Sequence, residues 1–524
     1  MITKLLLFAL TMWALWIPSR HALHMYQQNR YENGRFAKWI RTSVHDQVSS
    51  CIIPLAIVLI SIVVSLFQVT IWPFVCVQIV MALYHRAMEK GKQYIKPLVV
   101  TARVKRQIAV LVILEVLVLW LILAFVPACF SYGLMIAAGY FLPWILPFAV
   151  GWITAPIEHG VQQSYLNDAK KILNSHTGLI KIGITGSYGK TTTKNIMQAV
   201  LSEKYNTLMT PASYNTPMGI TRTIREMLKP IHQVFVCEMG ADHVGDITEL
   251  MNFVHPSIGV VTSIGPQHLN TFGSQENIIK EKMQMAEKLP ADGVAILNYD
   301  NEFIRNYHIV NPVKVISYGI ACQQADYHAE DISYSASGSS FVIVHGNERI
   351  PVQTKLLGEL NILNILAAAA CARYLNVSWE AIAAGCKNMK QVEHRLELKR
   401  INGFRFIDDA FNANPSGSAM ALEVLGMMPG KRIIVTPGMI DLGAKQDEIN
   451  RSFGQKMKGK ADWVVLVGEA QTKPILAGLQ DVDFDMSHVV VLAKEKEAFN
   501  WVWANASRED TILLENDLPD AFNR

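Results

Sequence analysis

The sequence lacks the paired cysteines that build disulfide frameworks and zinc ribbons. Its seven cysteines are scattered over 524 residues, are odd in number and never form a Cys-x-x-Cys pair. Both kinds of scaffold need cysteines in pairs at short, regular spacings. The pattern therefore predicts reduced thiols in a cytosolic compartment.

The chain also lacks an extended basic surface of the kind that binds nucleic acid. The formal net charge is +4, but the positive excess is confined to residues 19–50 and 85–106, which together carry twelve bases and three acids. The rest of the chain is net acidic. Since both basic segments lie between apolar runs, they are typical of the loops that orient a membrane protein. We expect no nucleic-acid partner.

Long apolar runs dominate residues 1–155, which we predict to be a transmembrane helical region. A spanning helix needs about 20 apolar residues. About five spans fit, at residues 4–18, 108–127 and 133–153, with a tight helical pair inside 51–84. With the N-terminus outside, both basic loops and the chain after the last span lie in the cytoplasm. A four-span alternative, with one long tilted helix, places one basic loop outside.

An acidic residue, Glu115, lies near the middle of the fourth predicted span. A carboxyl group at that depth is costly and by default marks a functional site. The alternative is a protonated or helix-paired carboxyl that serves only packing. The sequence leaves both interpretations open.

A glycine-rich loop, Gly186-Ser-Tyr-Gly-Lys-Thr191, opens the second half of the chain. It follows a strand-like run at 179–184 and precedes a helical stretch that begins near Thr191, which is the context that a phosphate loop needs. The helix N-terminus attracts phosphate, Lys190 can reach the outer phosphates, and the threonine hydroxyl can ligate Mg²⁺. The strict Gly-x4-Gly-Lys-Thr pattern is missed because Ile184 stands at its first glycine. Alone, the loop could be a chance glycine-rich turn.

The segment from Gly183 to Thr192 resembles the phosphate loop of the Mur ligases, the ATP-dependent amino-acid ligases of peptidoglycan synthesis. That family tolerates a residue other than glycine at the position of Ile184. The resemblance continues in the same order over residues 178–524. It implies that the chain uses ATP and Mg²⁺.

The fold class implied is α/β, placed after the transmembrane helical region and a linker at 156–177. Residues 178–392 are expected to form the central ATP-binding domain of a Mur ligase, built like a phosphate-loop ATPase. In residues 393–524, short strand-like runs alternate with helices, which predicts a doubly wound, Rossmann-like C-terminal domain.

The resemblance also implies a magnesium site. Glu238, which ends a strand-like run, matches the family's magnesium-binding acid, His268 matches its metal-ligating histidine, and Thr191 supplies a hydroxyl. The plain alternatives are a solvent-facing acid and a loop histidine that only hydrogen-bonds. Lys282 matches the lysine that becomes carbamylated in this family, with Lys280 as the alternative if the register is shifted. A carbamate would give Mg²⁺ another oxygen ligand.

Arg395 matches the family arginine that approaches the terminal phosphate, where it could stabilise developing charge; a surface arginine is the alternative. The catalytic residues implied are Lys190, Lys282, Arg395 and His268. The nucleotide contacts implied are Gly186, Ser187, Gly189, Lys190, Thr191, Thr192, Asn298, Asn361, Arg395 and Asp409. The contacts implied for the acceptor and the incoming amine are Asn215, Asn412 and Asn414.

Several positions depart from the family pattern. Thr216 and Thr221 replace the usual Asn and Pro, and Leu360 replaces the usual histidine. Residues 514–520 replace a Lys-Gly-Ser segment. The last change falls in a region expected to face substrate.

The function implied is that of a membrane-anchored, ATP-dependent ligase in peptidoglycan precursor synthesis. It would activate an acceptor carboxylate as an acyl phosphate and join it to an amino acid or dipeptide. The expected location is the bacterial cell membrane, multi-pass, with the ligase domains in the cytoplasm. Because membrane helices take the place of the family's UDP-sugar-binding domain, we hypothesise a lipid-linked acceptor. A poly-γ-glutamate-type ligase and a non-catalytic Mur-like scaffold for cell-wall enzymes remain alternatives.

Overall fold

The chain divides into two compact units, Met1–Ser164 and Tyr165–Arg524. The boundary falls inside the segment predicted to be a linker. The computed structural model describes residues 2–46, 56, 59–64, 67, 70–90, 97–335, 338–391, 394–410, 415–440, 442 and 445–516.

The first unit is helical throughout its described elements. Its helices are α1 (Ile2–Gln28), α2 (Asn33–Asp46), α3 (Trp72–Glu89), α4 (Ala102–Phe125) and α5 (Ala128–Ser175). The predicted spans overlap α1, α4 and α5, and α3 takes the second part of the predicted helical pair. Most of the first part of that pair lies outside the described residues.

Two helices of the described residues, Ala102–Phe125 and Phe130–Ser175, are long and apolar enough to cross a membrane by length and composition. The second of these continues past residue 155, where the transmembrane region was predicted to end. Helix α5 runs through Pro143, Pro147 and Pro156 and continues to Ser175, so most of the predicted linker is helix. Each proline removes only one backbone hydrogen bond, which neighbouring groups can compensate.

Buried polar side chains join the helices of the first unit. Gln78 on α3 donates to the Thr11 hydroxyl of α1 at 3.0 Å. Ser19 donates to the Glu115 carboxyl at 2.5 Å, and both side chains are buried. Hydrogen bonds between helices are a common means of association where apolar packing alone gives little specificity. The geometry therefore favours the helix-paired interpretation of Glu115.

The second unit begins with a nine-stranded sheet in the order β2-β3-β1-β4-β5-β6-β7-β8-β9. Strands β1 to β7 are parallel, and β7, β8 and β9 form an antiparallel meander. The strands are β1 (Ile180–Thr185), β2 (Thr207–Met209), β3 (Val234–Glu238), β4 (Ile258–Val261), β5 (Val294–Asn298), β6 (Lys314–Gly319), β7 (Tyr327–Ser335), β8 (Gly338–His345) and β9 (Glu348–Thr354).

Helices cover both faces of this sheet, which explains why its parallel strands are almost wholly apolar. The helices are α6 (Lys190–Leu201), α7 (Pro217–Met227), α8 (Asp246–Val254), α9 (Leu269–Phe272), α10 (Gln275–Glu287), α11 (Glu302–Arg305), α12 (Glu359–Tyr374) and α13 (Trp379–Asn388). One apolar core joins Ile182 and Ile184 of β1 to α6 and α12, and the other joins Phe235 of β3 to α8 and α10.

The position of β1 between β3 and β4 decides where a ligand can bind. After β1 the chain crosses to β2 and β3 on one side and then to β4 on the other. In an open α/β sheet, this reversal leaves a crevice at the carboxyl ends of the strands. The glycine-rich loop lies there.

A six-stranded sheet, ordered β10-β11-β15-β12-β13-β14, completes the unit. All its pairs are parallel except β10 with β11. The strands are β10 (Glu397–Ile401), β11 (Phe404–Asp409), β12 (Arg432–Thr436), β13 (Trp463–Val467), β14 (Val489–Leu492) and β15 (Thr511–Glu515). The helices are α14 (Pro415–Gly426), α15 (Gln446–Lys456), α16 (Lys473–Asp481) and α17 (Glu495–Asn505).

The sequence predicts strand-like runs at 403–408, 432–436, 462–468, 487–492 and 510–514, and strands β11 to β15 match them within two residues. Strand β10 was not predicted. Its sequence, Glu-Leu-Lys-Arg-Ile, has three charged residues in five. It is an antiparallel edge strand, where charged side chains are tolerated and also discourage further strand pairing.

Candidate functional site

At the first turn of the glycine-rich loop, only glycine can adopt the backbone conformation that the structure shows. Gly186 has φ +150°, and a Cβ built on it would lie 2.1 Å from Thr262 Oγ1. Gly189, at the N-terminus of α6, has φ +84°. Lys190 folds back over the loop, and its ammonium group donates to the carbonyls of Gly186 and Ser187 at 2.6 and 3.1 Å.

Residues that follow β4 hold the glycine-rich loop in place by hydrogen bonds. The Ser187 N–H donates to the Ser263 carbonyl at 2.7 Å, and the Tyr188 N–H donates to the Ser263 hydroxyl at 3.1 Å. The hydroxyl of Thr262 donates to the Tyr188 carbonyl at 2.5 Å. The loop is therefore held rigidly before any phosphate arrives, which favours tight binding.

Glu238 lies at the carboxyl end of β3 and gathers three donors. Thr191 and Asn215 donate to its Oε1 at 3.2 and 3.1 Å, and Lys194 donates to its Oε2 at 3.0 Å. The Lys194 ammonium group also donates to the Ala212 carbonyl. The side chains of Lys194 and Glu238 are 0% and 1% exposed. Lys194 was not predicted, although its position one helical turn after Lys190 places it on the same face of α6.

His268 lies on the loop before α9, with φ +56°. Its Nε2 is 3.3 Å from Oδ1 of Asp242, and the two side chains are 39% and 35% exposed. Asp242 follows Glu238 in the same segment and was also not predicted. Its charge opposes the lowering of the pKa of Lys190 and of Lys282. Asp242 is thus a second acid of this crevice, beside Glu238.

Lys282 on α10 is buried, and its ammonium group donates to the Ala241 carbonyl at 3.2 Å. Burial lowers the pKa of Lys282 to about 7, and the positive charge of Lys190 contributes to this shift. Lys280, the alternative, is exposed. The neighbouring Glu281 accepts the N–H groups of Gly245 and Ile247 at 2.8 and 2.6 Å and so caps α8.

Arg395 is the residue of the C-terminal domain that lies close to the phosphate loop. Burial lowers the pKa of Arg395, while the charges of Asp409, Glu238 and Glu515 counteract this effect. Burial also lowers the pKa of Lys190, and Arg395 lowers it further. The guanidinium group therefore lies within electrostatic range of both Lys190 and Glu238. It is flanked by His394 and Leu396, whose φ angles of +56° and +47° are unusual for residues other than glycine.

Two carboxyl groups, the half-buried Asp409 and the buried Glu515, lie within electrostatic range of Arg395. Burial raises the pKa of Asp409 to about 6, although Arg395 counteracts it. Burial and the charge of Asp409 raise the pKa of Glu515 well above its usual range. Ser418 donates to Glu515 at 2.5 Å, and the Leu396 N–H donates to Asp409 at 3.1 Å. Glu515 lies in a segment that departs from the family pattern and was not predicted as a site residue.

The remaining predicted nucleotide residues are largely engaged in the fold. The Asn298 amide donates to the Thr262 carbonyl at 2.7 Å, and its oxygen accepts the Asp300 N–H at 3.0 Å. The Asn361 amide donates to the Leu357 carbonyl at 2.7 Å. Thr192 is buried in the first turn of α6. Asn412 and Asn414 lie outside the described residues.

The donor set fits Mg²⁺. Magnesium prefers oxygen ligands and keeps several waters, so it needs few protein groups. Thr191 and Glu238 supply such oxygens side by side, and the imidazole of His268 lies near the acid Asp242, which can orient it. The only group of three metal-ligating side chains within 4.8 Å in the described residues is elsewhere, at His394, Glu397 and Asp408.

Two family models match the second unit. Residues 184–372 match the Mur ligase middle domain, and residues 394–515 match the Mur ligase, glutamate ligase domain. The matched ranges coincide with the nine-stranded and the six-stranded sheet.

Curated relatives carry the name UDP-N-acetylmuramoyl-tripeptide–D-alanyl-D-alanine ligase. The protein of Bacillus subtilis is 30% identical over 355 residues, which cover 67% of this chain and 75% of the relative. That of Escherichia coli is 32% identical over 291 residues, which cover 55% of this chain and 64% of the relative. The chain thus spans less than two thirds of the second relative.

Solved structures give the same result for the fold. MurF from Acinetobacter baumannii has a TM-score of 0.62 at 26% identity, and the match covers 68% of this chain and 77% of that one. A MurF ligase from Thermotoga maritima, solved in complex with ADP, has a TM-score of 0.60 at 23% identity, with 68% and 80% covered. The second likeness is one of fold alone.

Proposed function

Since the chain belongs to the Mur ligase family, we propose that it is an ATP-dependent ligase of peptidoglycan precursors. Its N-terminal helices would anchor it in the membrane. The ligase would join an acceptor carboxylate to D-alanyl-D-alanine. The family prediction is confirmed, and so is the prediction of a ligase at the level of the family, because the matched relatives are named as ligases. The dipeptide is the one in the names of those relatives.

The convergence of Arg395 with Lys190 and Glu238 carries this proposal. Lys190 of the central domain and Arg395 of the C-terminal domain lie within electrostatic range of each other, where a phosphate loop would hold the outer phosphates. The acid Glu238 lies within the same range. Phosphoryl transfer needs positioning and charge stabilisation more than covalent help from the protein. A scaffold without catalysis would have no need to hold two cations so close that Arg395 lowers the pKa of Lys190.

The reaction would proceed in two steps. A carboxylate oxygen of the acceptor attacks the γ-phosphorus of ATP, the bond to the β-phosphate oxygen breaks, and an acyl phosphate and ADP form. The amine of the dipeptide then attacks the acyl carbon, inorganic phosphate leaves, and a proton is released from the nitrogen. Lys190 and Arg395 would stabilise the charge on the transferred group. Thr191, Glu238 and His268 would hold Mg²⁺, which neutralises phosphate charge when bound.

Lys282 has the protonation behaviour that carbamylation requires. Only a neutral amine adds CO₂, and with a pKa of about 7 a substantial part of Lys282 is neutral at physiological pH. The reaction forms an N–C bond and releases one proton. The product replaces a cation with an anion beside Lys190, which would favour the modified form.

The membrane placement and the acceptor are the finer parts of the proposal. The family match begins at residue 184, after helices of which two are long and apolar enough to span. About a third of the Escherichia coli relative has no counterpart in the matched region. We therefore propose that the acceptor is a lipid-linked muramoyl peptide and that the catalytic unit lies on the cytoplasmic side.

The test uses the full chain purified in mild detergent. ADP release is measured with a muramoyl tripeptide acceptor, either lipid-linked or as the soluble UDP-sugar, with and without D-alanyl-D-alanine. We expect ADP release that requires both acceptor and dipeptide, is faster with the lipid-linked acceptor and is lost in Lys190→Ala. Lys288→Ala, at an exposed position of the same domain, is the control.

Each failure has a distinct meaning. An absence of ADP release with every acceptor would support the non-catalytic scaffold. Release that requires glutamate instead of the dipeptide would support the poly-γ-glutamate-type alternative. Equal rates with the two acceptors would leave the ligase intact and refute the lipid-linked acceptor. Release of the chain from membranes by alkaline carbonate would refute the anchoring.

A further inference from the structure

A cavity of about 400 Å³ lies within the N-terminal unit, between the second half of α1, the end of α3 and the residues that lead into α4. This volume is in the range of small-molecule sites. Its polar lining consists of two arginines, two histidines and one acid: Arg20, Arg86, His21, His24 and Glu89. No role in ligation involves these residues.

The two arginines give the cavity its charge. His21 Nδ1 is 3.2 Å from the Glu89 carboxylate, and His24 is 3.1 Å from the Gln28 amide. Within the part of the chain that the structure describes, neither Arg20 nor Arg86 forms an ion pair with a carboxylate. Two guanidinium groups against one carboxylate leave the lining net positive even with both histidines neutral.

The cavity lies where two helices change from apolar to basic. Trp16 and Ile17 precede Arg20 on α1, and the apolar residues of α3 end just before Arg86. The surfaces leading to it carry exposed large apolar side chains, including Trp16 at 49% and Leu83 at 53% exposure. Tryptophan and arginine are typical of the level at which lipid head groups meet the hydrocarbon.

We propose that this cavity binds a membrane lipid whose head group is a terminal phosphate or diphosphate that carries no further substituent, with Arg20 and Arg86 as the anion contacts. A guanidinium group presents paired N–H donors that match phosphate oxygens and remains charged at every physiological pH. Basic pockets at the cytoplasmic ends of membrane helices are typical head-group sites. The apolar surfaces of α1 and α3 next to the cavity would contact the acyl or isoprenoid chain, which a soluble anion lacks.

This inference rests on the proposed membrane placement and is independent of the ligation chemistry. It gives the N-terminal unit a second role, the retention of a lipid that carries a phosphate group. The source of the anion can be tested directly, because a lipid diphosphate, the corresponding alcohol and inorganic pyrophosphate differ in one feature at a time.

The experiment measures dissociation constants by native mass spectrometry of the full chain in detergent. The probes are geranylgeranyl diphosphate, geranylgeraniol, phosphatidylcholine and inorganic pyrophosphate. We expect the lipid diphosphate to bind at least tenfold more tightly than each of the others. In Arg20→Ala/Arg86→Ala its dissociation constant should rise at least tenfold, and Arg20→Lys/Arg86→Lys should restore part of the affinity.

The matched control is Arg35→Ala/Lys105→Ala, which removes two cations of the same unit that do not line the cavity and should change the constant less than twofold. Ligation of the soluble acceptor serves as a separate readout, so loss of lipid binding with intact ligation leaves the proposed function standing. Equal binding by the arginine double variant and the wild type would overturn the proposal. So would equal binding of pyrophosphate, which would mean a site for soluble anions, or of the alcohol, which would mean an apolar slot.

Discussion

The buried pair of Lys194 and Glu238 should dominate the stability of the central domain. The two charged groups are 3.0 Å apart, and their side chains are 0% and 1% exposed. Replacing the lysine with methionine preserves its length but leaves the Glu238 carboxylate buried with two donors instead of three, and the Ala212 carbonyl without its ammonium partner. Breaking a buried pair on one side costs about 3–5 kcal/mol.

Urea denaturation of the nucleotide-free chain, followed by circular dichroism, measures this change. We expect Lys194→Met to lower the free energy of unfolding by about 3–5 kcal/mol. Lys194→Met/Glu238→Gln should recover more than half of the loss, because it removes both charges together and leaves an amide that Thr191 can still contact. The double variant thereby separates the electrostatic cost from the loss of packing.

A surface ion pair of similar length provides the matched control. Arg222 and Glu226 are 2.9 Å apart on α7, but their side chains are 59% and 58% exposed. Solvent screens such exposed pairs, so they contribute little to the free energy of unfolding. If Lys194→Met destabilised the chain no more than Arg222→Ala does, or if the double variant were less stable than Lys194→Met, the account of Glu238 as a charge held by Lys194 would be refuted.

Two further predictions concern the ATP site. The pKa of Lys282 is about 7, and only the neutral amine adds CO₂. The carbamate signal in ¹³C NMR with labelled bicarbonate should therefore fall as the pH drops from 8 to 6, roughly tenfold per pH unit well below the pKa. The signal should vanish in Lys282→Met and persist in Lys280→Ala. Gly186→Ala should weaken ATP binding at least tenfold by calorimetry, because the new Cβ would lie 2.1 Å from Thr262 Oγ1, whereas Gly178→Ala has nothing within 4 Å and should bind normally.

The elements around the phosphate loop were predictable because local sequence specifies them. The run 179–184 matches β1 within one residue, and the helix that follows begins at Lys190. An apolar run bounded by glycine and followed by a helix start has few other conformations. The family resemblance, and not the spacing along α10, singled out Lys282 over Lys280; in the structure Lys282 is buried and Lys280 is exposed.

The partners of the site residues could not be predicted in the same way. Lys194 meets Glu238 across 44 positions of sequence, and Ser418 meets Glu515 across 97. Nothing in the local pattern marks a lysine in a helix as buried rather than solvated. Its burial is decided by which strand the helix covers, and thus by the strand order. The extension of α5 to Ser175 is a similar case, since polar residues such as Gln162 and Lys170 suit a loop and a solvated helix equally well.

The crevice brings several positively charged side chains close together, although like charges repel. Before a nucleotide binds, Lys190 repels both other cations of the crevice: beside the larger effect of burial, Arg395 lowers the pKa of Lys190, and Lys190 lowers the pKa of Lys282. Glu238 and Asp242 reduce that repulsion, and Asp409 with Glu515 reduces it from the C-terminal side. A polyphosphate would bring the missing negative charge to the same place. The site is therefore most favourably charged when a nucleotide is bound between the two domains, so nucleotide binding should itself hold Arg395 against the phosphate loop.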